Sequence, residues 1–315
     1  MSAKKIITVF GATGQQGGAV VDQFVNDPKL KDSWTVRAVT RDVNKDSAKK
    51  LASKGVEVVA ADLDDKATLV KAVGGSDTVF AVTNYWEHVD MKHEEQQGRN
   101  IVDAVKEVGV KHFIWSSLYN VTKLTNGKLA RVYHFDSKAH VEEYARSLGI
   151  PSTFFMPGFY MSNISGGMMS KRGENWVFAL PISASTPIPL YETADTGKYV
   201  KAIVENKDAL LGKEFRAATR YATPQEVVDD FKKVFPEAGE KATFAQISKD
   251  DFYTYMKGRG FPEFVSDEMY ENMLLMQDFG YYGGAPLEES TKLVEGSLTT
   301  WMEHVKRASA FAGLK

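Results

Sequence analysis

The chain has 315 residues, 39 Lys and Arg against 41 Asp and Glu, a formal net charge of −2 and no cysteine. At roughly 100–200 residues per domain this length makes one large domain or two unequal ones, and the near-neutral charge excludes a basic field for direct nucleic-acid binding. The missing thiols exclude disulfides, iron–sulfur ligation, zinc knuckles and thiol catalysis; they fit a reducing, cytoplasmic setting, with the nucleus also open to the protein.

In chain order, Met1-Ser2-Ala3-Lys4-Lys5 leads into a five-residue apolar run, Ile6–Phe10, too short for a signal-peptide core. Strands are predicted at Lys5–Phe10, Thr35–Thr40, Glu57–Ala60, Thr78–Val82, His112–Ser116 and Thr153–Met156, most of them nearly continuous in apolar content, as strands covered on both faces must be. Helices predicted at Gln15–Asn26, Ala48–Lys54, Lys66–Val73, Glu94–Val108 and Ser137–Leu148 lie between them, with apolar residues near three-to-four spacing. Strand–helix alternation with short connections implies right-handed crossovers and an α/β fold, a Rossmann-type doubly wound parallel sheet in residues 1–156.

The uncharged stretch Ser147–Ser170 is interrupted by Gly149, Pro151, Pro157 and Gly158, so it reads as a buried strand running into a loop and not as a membrane span. Residues 157–315 are expected to form a smaller C-terminal α/β domain, with the chain returning to the first sheet within 190–220. Gly, Pro and Ser dominate 157–190; a helix is predicted at Thr196–Asn206 and strands at Glu214–Ala218 and Thr243–Ile247. Thr223-Pro224-Gln225-Glu226 is a capping box with Pro at the first helical position.

The strongest local signal is Gly11-Ala12-Thr13-Gly14-Gln15-Gln16-Gly17-Gly18, between the first strand and the first helix. Gly11 permits the tight turn, Gly14 lets backbone approach a pyrophosphate, and Gly17 lets the helix pack close to the strand, while the helix N-terminus offers free N–H groups. In that context the G-x-x-G-x-x-G spacing predicts dinucleotide binding. The second strand ends in Thr40-Arg41-Asp42 with Lys45 following, and Arg41 suits a 2′-phosphate through charge-assisted hydrogen bonds, which favours NADP(H) over NAD(H). Asp62, ending the third strand, either accepts from the adenine amine or caps Lys66–Val73, a task for which Asp64 is better spaced.

Reductases on this fold pair a Tyr with a Lys four residues later. Ser116 and Ser117 stand where the partner serine belongs and Lys138 where the lysine belongs, but the tyrosine position holds His134, and Tyr133 is one residue early, about 100° around a helix. Tyr119–Lys123 and Tyr253–Lys257 match the spacing outside the expected helix and read as chance. His88/His93 and His134/His140 do not have the spacing of four that puts two ligands on one helical face, so no metal is expected.

Gly11–Gly18 with Arg41, Ala61-Asp62, Thr83-Asn84-Tyr85-Trp86-Glu87, His134-Phe135-Asp136-Ser137-Lys138 and Pro157-Gly158-Phe159-Tyr160 occur in that order. This set resembles the NmrA-like family of atypical short-chain dehydrogenase/reductases, and within it the HSCARG-like NADPH-sensor branch. The resemblance implies a cleft between two domains. Gly11, Thr13, Gly14, Gln15, Gln16 and Gly17 would hold the pyrophosphate, Arg41 and Lys45 the 2′-phosphate, and Asp62 and Leu63 the adenine. Thr83, Asn84, Tyr85 and Lys138 would meet the nicotinamide ribose side, with Phe159, Tyr160 and Asn163 closing over the ring. Gln96 stands where near relatives have lysine, and Ser162 where an acidic residue is common.

Two functions compete. One is an NADP(H)-responsive redox regulator acting through protein partners, as a monomer or homodimer. The other is an NADPH-dependent reductase of a small carbonyl, imine or quinone substrate, using Lys138 with His134 or Tyr133 as proton donor.

Overall fold

The computed structural model describes residues 3–315; Met1 and Ser2, the first two residues of the N-terminal segment read above, lie outside the described residues. Runs of β-branched and aromatic residues form β1 (Lys5–Val9), β2 (Trp34–Thr40), β3 (Glu57–Ala60), β4 (Thr78–Ala81), β5 (His112–Ser116) and β6 (Ser152–Pro157). Four short strands follow: β7 (Phe159–Tyr160), β8 (Met169–Arg172), β9 (Asn175–Leu180) and β10 (Ile188–Tyr191). The last three are β11 (Glu214–Ala217), β12 (Arg220–Ala222) and β13 (Thr243–Gln246).

Seven of these strands make one sheet in the order β3-β2-β1-β4-β5-β6-β11, every neighbouring pair parallel. This is the Rossmann-like doubly wound α/β fold. The order reverses between β1 and β4, which opens a crevice beyond their carboxyl ends, the place where such sheets bind ligands. Helix Gln15–Asn26 covers one face and packs against helix Thr196–Glu205, where a Cβ on Gly197 would lie 2.3 Å from the Ala19 carbonyl oxygen; only glycine permits that approach. Helices Met91–Val108 and Tyr133–Ser147 pack together on the other face.

The fourth helix of the first half starts differently from expectation. Neither Asp62 nor Asp64 caps Lys66–Val73; Asp65 does, accepting from the Ala67 N–H at 3.0 Å, because it directly precedes the first helical turn. Helix Tyr133–Ser147 begins four residues before the predicted Ser137, which puts Tyr133, His134 and Lys138 all on helical backbone.

The remaining strands form two three-stranded sheets, β12-β10-β7 and β13-β9-β8. The Gly/Pro/Ser-rich stretch therefore holds four strands that its composition concealed. Pro189 sits inside β10, paired with Tyr221, and Ile188 and Leu190 on either side are fully buried. The capping box at Thr223 is present, with the Thr223 N–H donating to Glu226 at 2.7 Å. One continuous apolar cluster runs from Val79 and Trp115 through Met156 to Phe231, Met273 and Trp301, so the C-terminal half shares its core with the sheet. Among the described residues no helix is long and apolar enough to cross a membrane.

Candidate active site

The phosphate loop is shaped by glycine. Gly11 has φ +64°, a left-handed conformation, and its carbonyl oxygen accepts from the Gly14 N–H at 2.9 Å. A Cβ on Gly17 would sit 2.3 Å from that same oxygen, so the helix reaches the turn only without a side chain there. Helix Gln15–Asn26 has Gly14 at its N-cap, no capping side chain and no acidic residue in its first turn. Its first N–H groups and positive dipole end are thus left to an anion, and the loop fits a dinucleotide pyrophosphate.

A cavity of ≈ 910 Å³ opens beside this loop, bounded by both halves of the chain. Of the residues expected at the cofactor, Gly11, Gly14, Gln15, Gln16, Thr83, Asn84, Tyr85, Lys138, Phe159, Tyr160 and Asn163 line it, together with His134 and Ser116. Thr13 and Gly17 belong to the loop but not to the lining; Gly17 is spent on packing. Tyr133 does not line the cavity: one residue before His134, it is turned about 100° away around the helix. Arg41, Lys45, Asp62 and Leu63 lie outside the cavity at the ends of β2 and β3, on the far side of β1. They form a separate, exposed rim. There Arg41 Nη1 meets Glu87 Oε1 at 2.5 Å, and Asn100 Nδ2 fixes the Leu63 carbonyl at 2.8 Å. Gln96 Nε2 donates to Asn100 Oδ1 at 2.8 Å, which connects Gln96 through Asn100 to the Leu63 carbonyl.

Inside the cavity three hydrogen-bonded groups set the chemistry. In the first, Ser116 Oγ donates to Gln16 Oε1 at 2.8 Å and Gln16 Nε2 donates to the Tyr160 hydroxyl at 2.6 Å, tying β5, the phosphate loop and β7 together. In the second, the buried carboxylate of Glu94 accepts from Thr83 Oγ1 at 2.6 Å and from the Ser137 hydroxyl and the Lys138 ammonium. Lys138 is thereby paired with a carboxylate, while the position four residues before it holds His134 and no phenol. Removing one partner of such a pair leaves a buried charge unmatched and costs about 3–5 kcal/mol.

The third group centres on Glu268, which is fully buried and comes from helix Glu263–Leu274 in the C-terminal half. Its carboxylate accepts from the His134 N–H at 2.8 Å and from His134 Nδ1 at 2.6 Å, and its other oxygen accepts from the Tyr85 hydroxyl at 2.7 Å. A carboxylate at Nδ1 fixes the tautomer, so the proton sits on Nδ1 and Nε2 is left free. No hydrogen bond among the described residues uses Nε2. The indole of Trp86 lies against the imidazole, ring centroids 5.0 Å apart. Burial, with the carboxylate of Glu268 beside it, pushes the Tyr85 phenol far above its usual range, so Tyr85 donates a hydrogen bond but does not ionise. Burial likewise raises Tyr160.

Glu94 and Glu268 are the residues that reading the sequence missed. Glu94 opens a predicted helix and looks like a first-turn acid; Glu268 lies 134 residues from His134, in helix Glu263–Leu274. Neither carries a local signal. The chance matches also resolve: the Tyr119 hydroxyl donates to Glu214 at 2.8 Å, the Tyr253 hydroxyl donates to Asp267 at 2.5 Å, and neither tyrosine lines the cavity. Ser117 donates to Glu142 at 2.6 Å, away from the cavity, leaving Ser116 as the serine at the site. Among the described residues no cluster of three or more His, Asp or Glu is arranged to hold a metal.

The helix carrying Glu268 also carries Asn272, which lines the cavity, is 3% exposed, and whose Nδ2 has no hydrogen-bond partner among the described residues. Leaving such a group unpaired costs about 1–3 kcal/mol.

Comparison with known proteins places this arrangement in a lineage. The chain is 31% identical over 264 residues, 78% of its length and 76% of the relative's, to an NmrA-like family domain-containing oxidoreductase of Malbranchea aurantiaca. It superimposes on the crystal structure of NmrA, a negative transcriptional regulator in complex with NADP, with a TM-score of 0.79 and 20% identity, covering 99% of this chain and 96% of that one. It also superimposes on an NADPH-dependent quinone oxidoreductase of Escherichia coli complexed with NADPH, with a TM-score of 0.75 and 22% identity, covering 95% and 98%. At such identities the structural likeness is one of fold. The family is shown by the sequence itself: residues 3–305 match the NmrA-like family, and the chain belongs to it.

Proposed function

We propose that the protein is an NADPH-dependent reductase, with His134 delivering the proton and Lys138 holding the ribose side of the cofactor. The observation that carries this reading is His134. It faces the cavity beside the phosphate loop with Nδ1 bound to a buried carboxylate and Nε2 unengaged, so that the ring, once protonated on both nitrogens, can offer its Nε2 proton to a bound substrate. Arg41 and Lys45 supply the positive charge that suits a 2′-phosphate. NADPH, when held by the phosphate loop and Lys138, would supply the hydride that reduces a carbonyl, imine or quinone. His134 Nε2 transfers its proton to the oxygen or nitrogen that gains the electron pair. Glu268 stabilises the imidazolium before transfer, and the neutral imidazole regains a proton from solvent through the open mouth of the cavity. The named functions of relatives, an oxidoreductase and a quinone oxidoreductase, are consistent with this.

The test is NADPH oxidation across carbonyl, imine and quinone panels. His134→Asn should lower kcat by roughly 100-fold, the scale of general-acid catalysis, with NADPH affinity retained. No oxidation on any panel, and no effect of His134→Asn or Lys138→Ala, overturns the reading.

A second reading has one observation in its favour. The Lys138 ammonium is committed to Glu94 and the position of the usual tyrosine holds no phenol, which suits an NADP(H)-responsive regulator of the HSCARG-like kind. Such a regulator would act through protein partners, because cofactor binding can shift a domain arrangement only through differential affinity for its states. NADPH-dependent change in oligomeric state or partner binding, without turnover, would favour it.

A further inference from the structure

We propose that the protein carries a second, hydrolytic site, in which Ser165, His304 and Glu192 act as nucleophile, base and orienting acid and cleave small carboxylic esters through an acyl-serine. This site is independent of the reductase reading, and none of the three residues lines the dinucleotide cavity.

The three side chains come from distant parts of the chain. Ser165 lies in the wide, π-helical turn Ile164–Met168, Glu192 directly follows β10, and His304 is in helix Trp301–Arg307. Glu192 Oε2 accepts from His304 Nδ1 at 2.5 Å, and Glu192 Oε1 accepts from the Ala194 N–H at 3.3 Å, which fixes the carboxylate. A carboxylate at Nδ1 keeps the proton on that nitrogen, so Nε2 is an acceptor, and Ser165 Oγ lies 3.0 Å from it. The indole of Trp301 stacks on the imidazole, centroids 5.4 Å apart and 16° from parallel, and holds its plane. A hydroxyl within reach of an imidazole that a carboxylate orients is the arrangement that activates serine for attack, on whatever fold it occurs.

The surroundings of the hydroxyl suit a ligand better than a tether. Ser165 is half-buried and the next residue, Gly166, is exposed. A Cβ on Gly166 would meet nothing within 4 Å, so the backbone beside the hydroxyl is open to approach. Gly167 takes φ +135°, a conformation that favours glycine, and wide turns of this kind recur at functional sites. Arg259 lies against the same turn. Its Nη1 donates to the Gly166 carbonyl at 3.3 Å and to the Tyr255 hydroxyl at 2.8 Å, both neutral, so its charge favours an anion forming nearby.

In the reaction Ser165 Oγ adds to the ester carbonyl carbon while His304 Nε2 takes the hydroxyl proton. The bond from that carbon to the alcohol oxygen breaks, and the alcohol leaves with the proton. Water then adds to the acyl-serine and gives a proton to His304; the carboxylic acid departs as Ser165 regains that proton. No oxidant or reductant is consumed.

The full chain is treated with a fluorophosphonate, which phosphonylates an activated serine with loss of fluoride, and the adduct is located by peptide mass spectrometry. Hydrolysis of p-nitrophenyl acetate is followed in parallel. Wild-type protein should carry the adduct on Ser165 and release nitrophenol in a burst. Ser165→Ala and His304→Gln should each lower hydrolysis by roughly 100-fold or more, since members of such a unit fail together, and Glu192→Gln by roughly 10–100-fold. Ser165→Ala should leave NADPH affinity within about twofold, because the two sites share no partner. The proposal is overturned if Ser165 is not labelled, or if folded Ser165→Ala hydrolyses the ester as before, since a surface nucleophile would then be responsible. It is also overturned if folded His304→Gln is labelled at Ser165 at the wild-type rate, which would make His304 and Glu192 a structural tie for the last helix. The adduct is mapped on wild-type protein, so a variant that fails to fold does not remove the test.

Discussion

At its phosphate end the candidate site is one unbroken piece of chain, β1, the glycine turn and helix Gln15–Asn26, and every feature that matters there is backbone. At its Lys138 end the site is assembled from β4, β5, two helices of the first half and a helix near residue 268, and every feature that matters is a side chain buried against another. The first end is held by local geometry, the second by long-range pairing of charges. A local device fails when its geometry is blocked. A long-range device fails when one partner of a buried pair is removed.

The largest effect should come from blocking the local device. In Gly17→Ala the new methyl would lie 2.3 Å from the Gly11 carbonyl oxygen, so the turn must open. NADPH affinity should fall roughly 100-fold and stability by about 1–3 kcal/mol, as overpacking of a tight contact does. Titration of NADPH fluorescence and thermal unfolding check it; unaltered affinity would show that the turn is not the pyrophosphate seat.

Breaking the long-range device should affect turnover more than binding. Glu268→Gln can still accept from His134 through its one amide oxygen, turns the oxygen that accepts from Tyr85 into a donor NH2, and removes the negative charge facing the imidazole. The imidazolium that must donate the proton then loses its counter-charge. We expect kcat to drop about 10–100-fold with NADPH affinity near wild type. A kcat that stays at the wild-type value would make Glu268 a packing residue only.

The smallest effect belongs to the rim. Glu87 occupies Arg41 at 2.5 Å, with the two side chains 35% and 59% exposed, and a 2′-phosphate must displace it. Exposed pairs contribute about 0–1 kcal/mol, so Glu87→Gln should tighten NADPH binding roughly two- to fivefold and leave NADH unchanged. Equal tightening of both would mean that Arg41 does not face the phosphate.

The contrast between the two ends also governs what could be read in advance. Alternating strands and helices, the glycine turn and the capping box at Thr223 are signals within one element, and each is present, with helix starts shifted by up to four residues from those expected. The four strands between 159 and 191 were hidden because each is short and one contains a proline; their pairing is decided by partners elsewhere. The cap at Asp65 escaped by one residue, since three neighbouring aspartates offer the same chemistry and only backbone geometry selects among them.

By itself the sequence determined the doubly wound sheet, the phosphate loop and the absence of thiol chemistry, because periodicity, glycine spacing and composition are properties of the chain alone. It also placed His134 and Lys138 near the site. Only the tertiary structure decided what those residues are. Glu94 makes Lys138 half of a buried ion pair, and Glu268 makes His134 an oriented imidazole. Burial and pairing set the chemistry of a titratable group, and both are decided by residues distant in sequence.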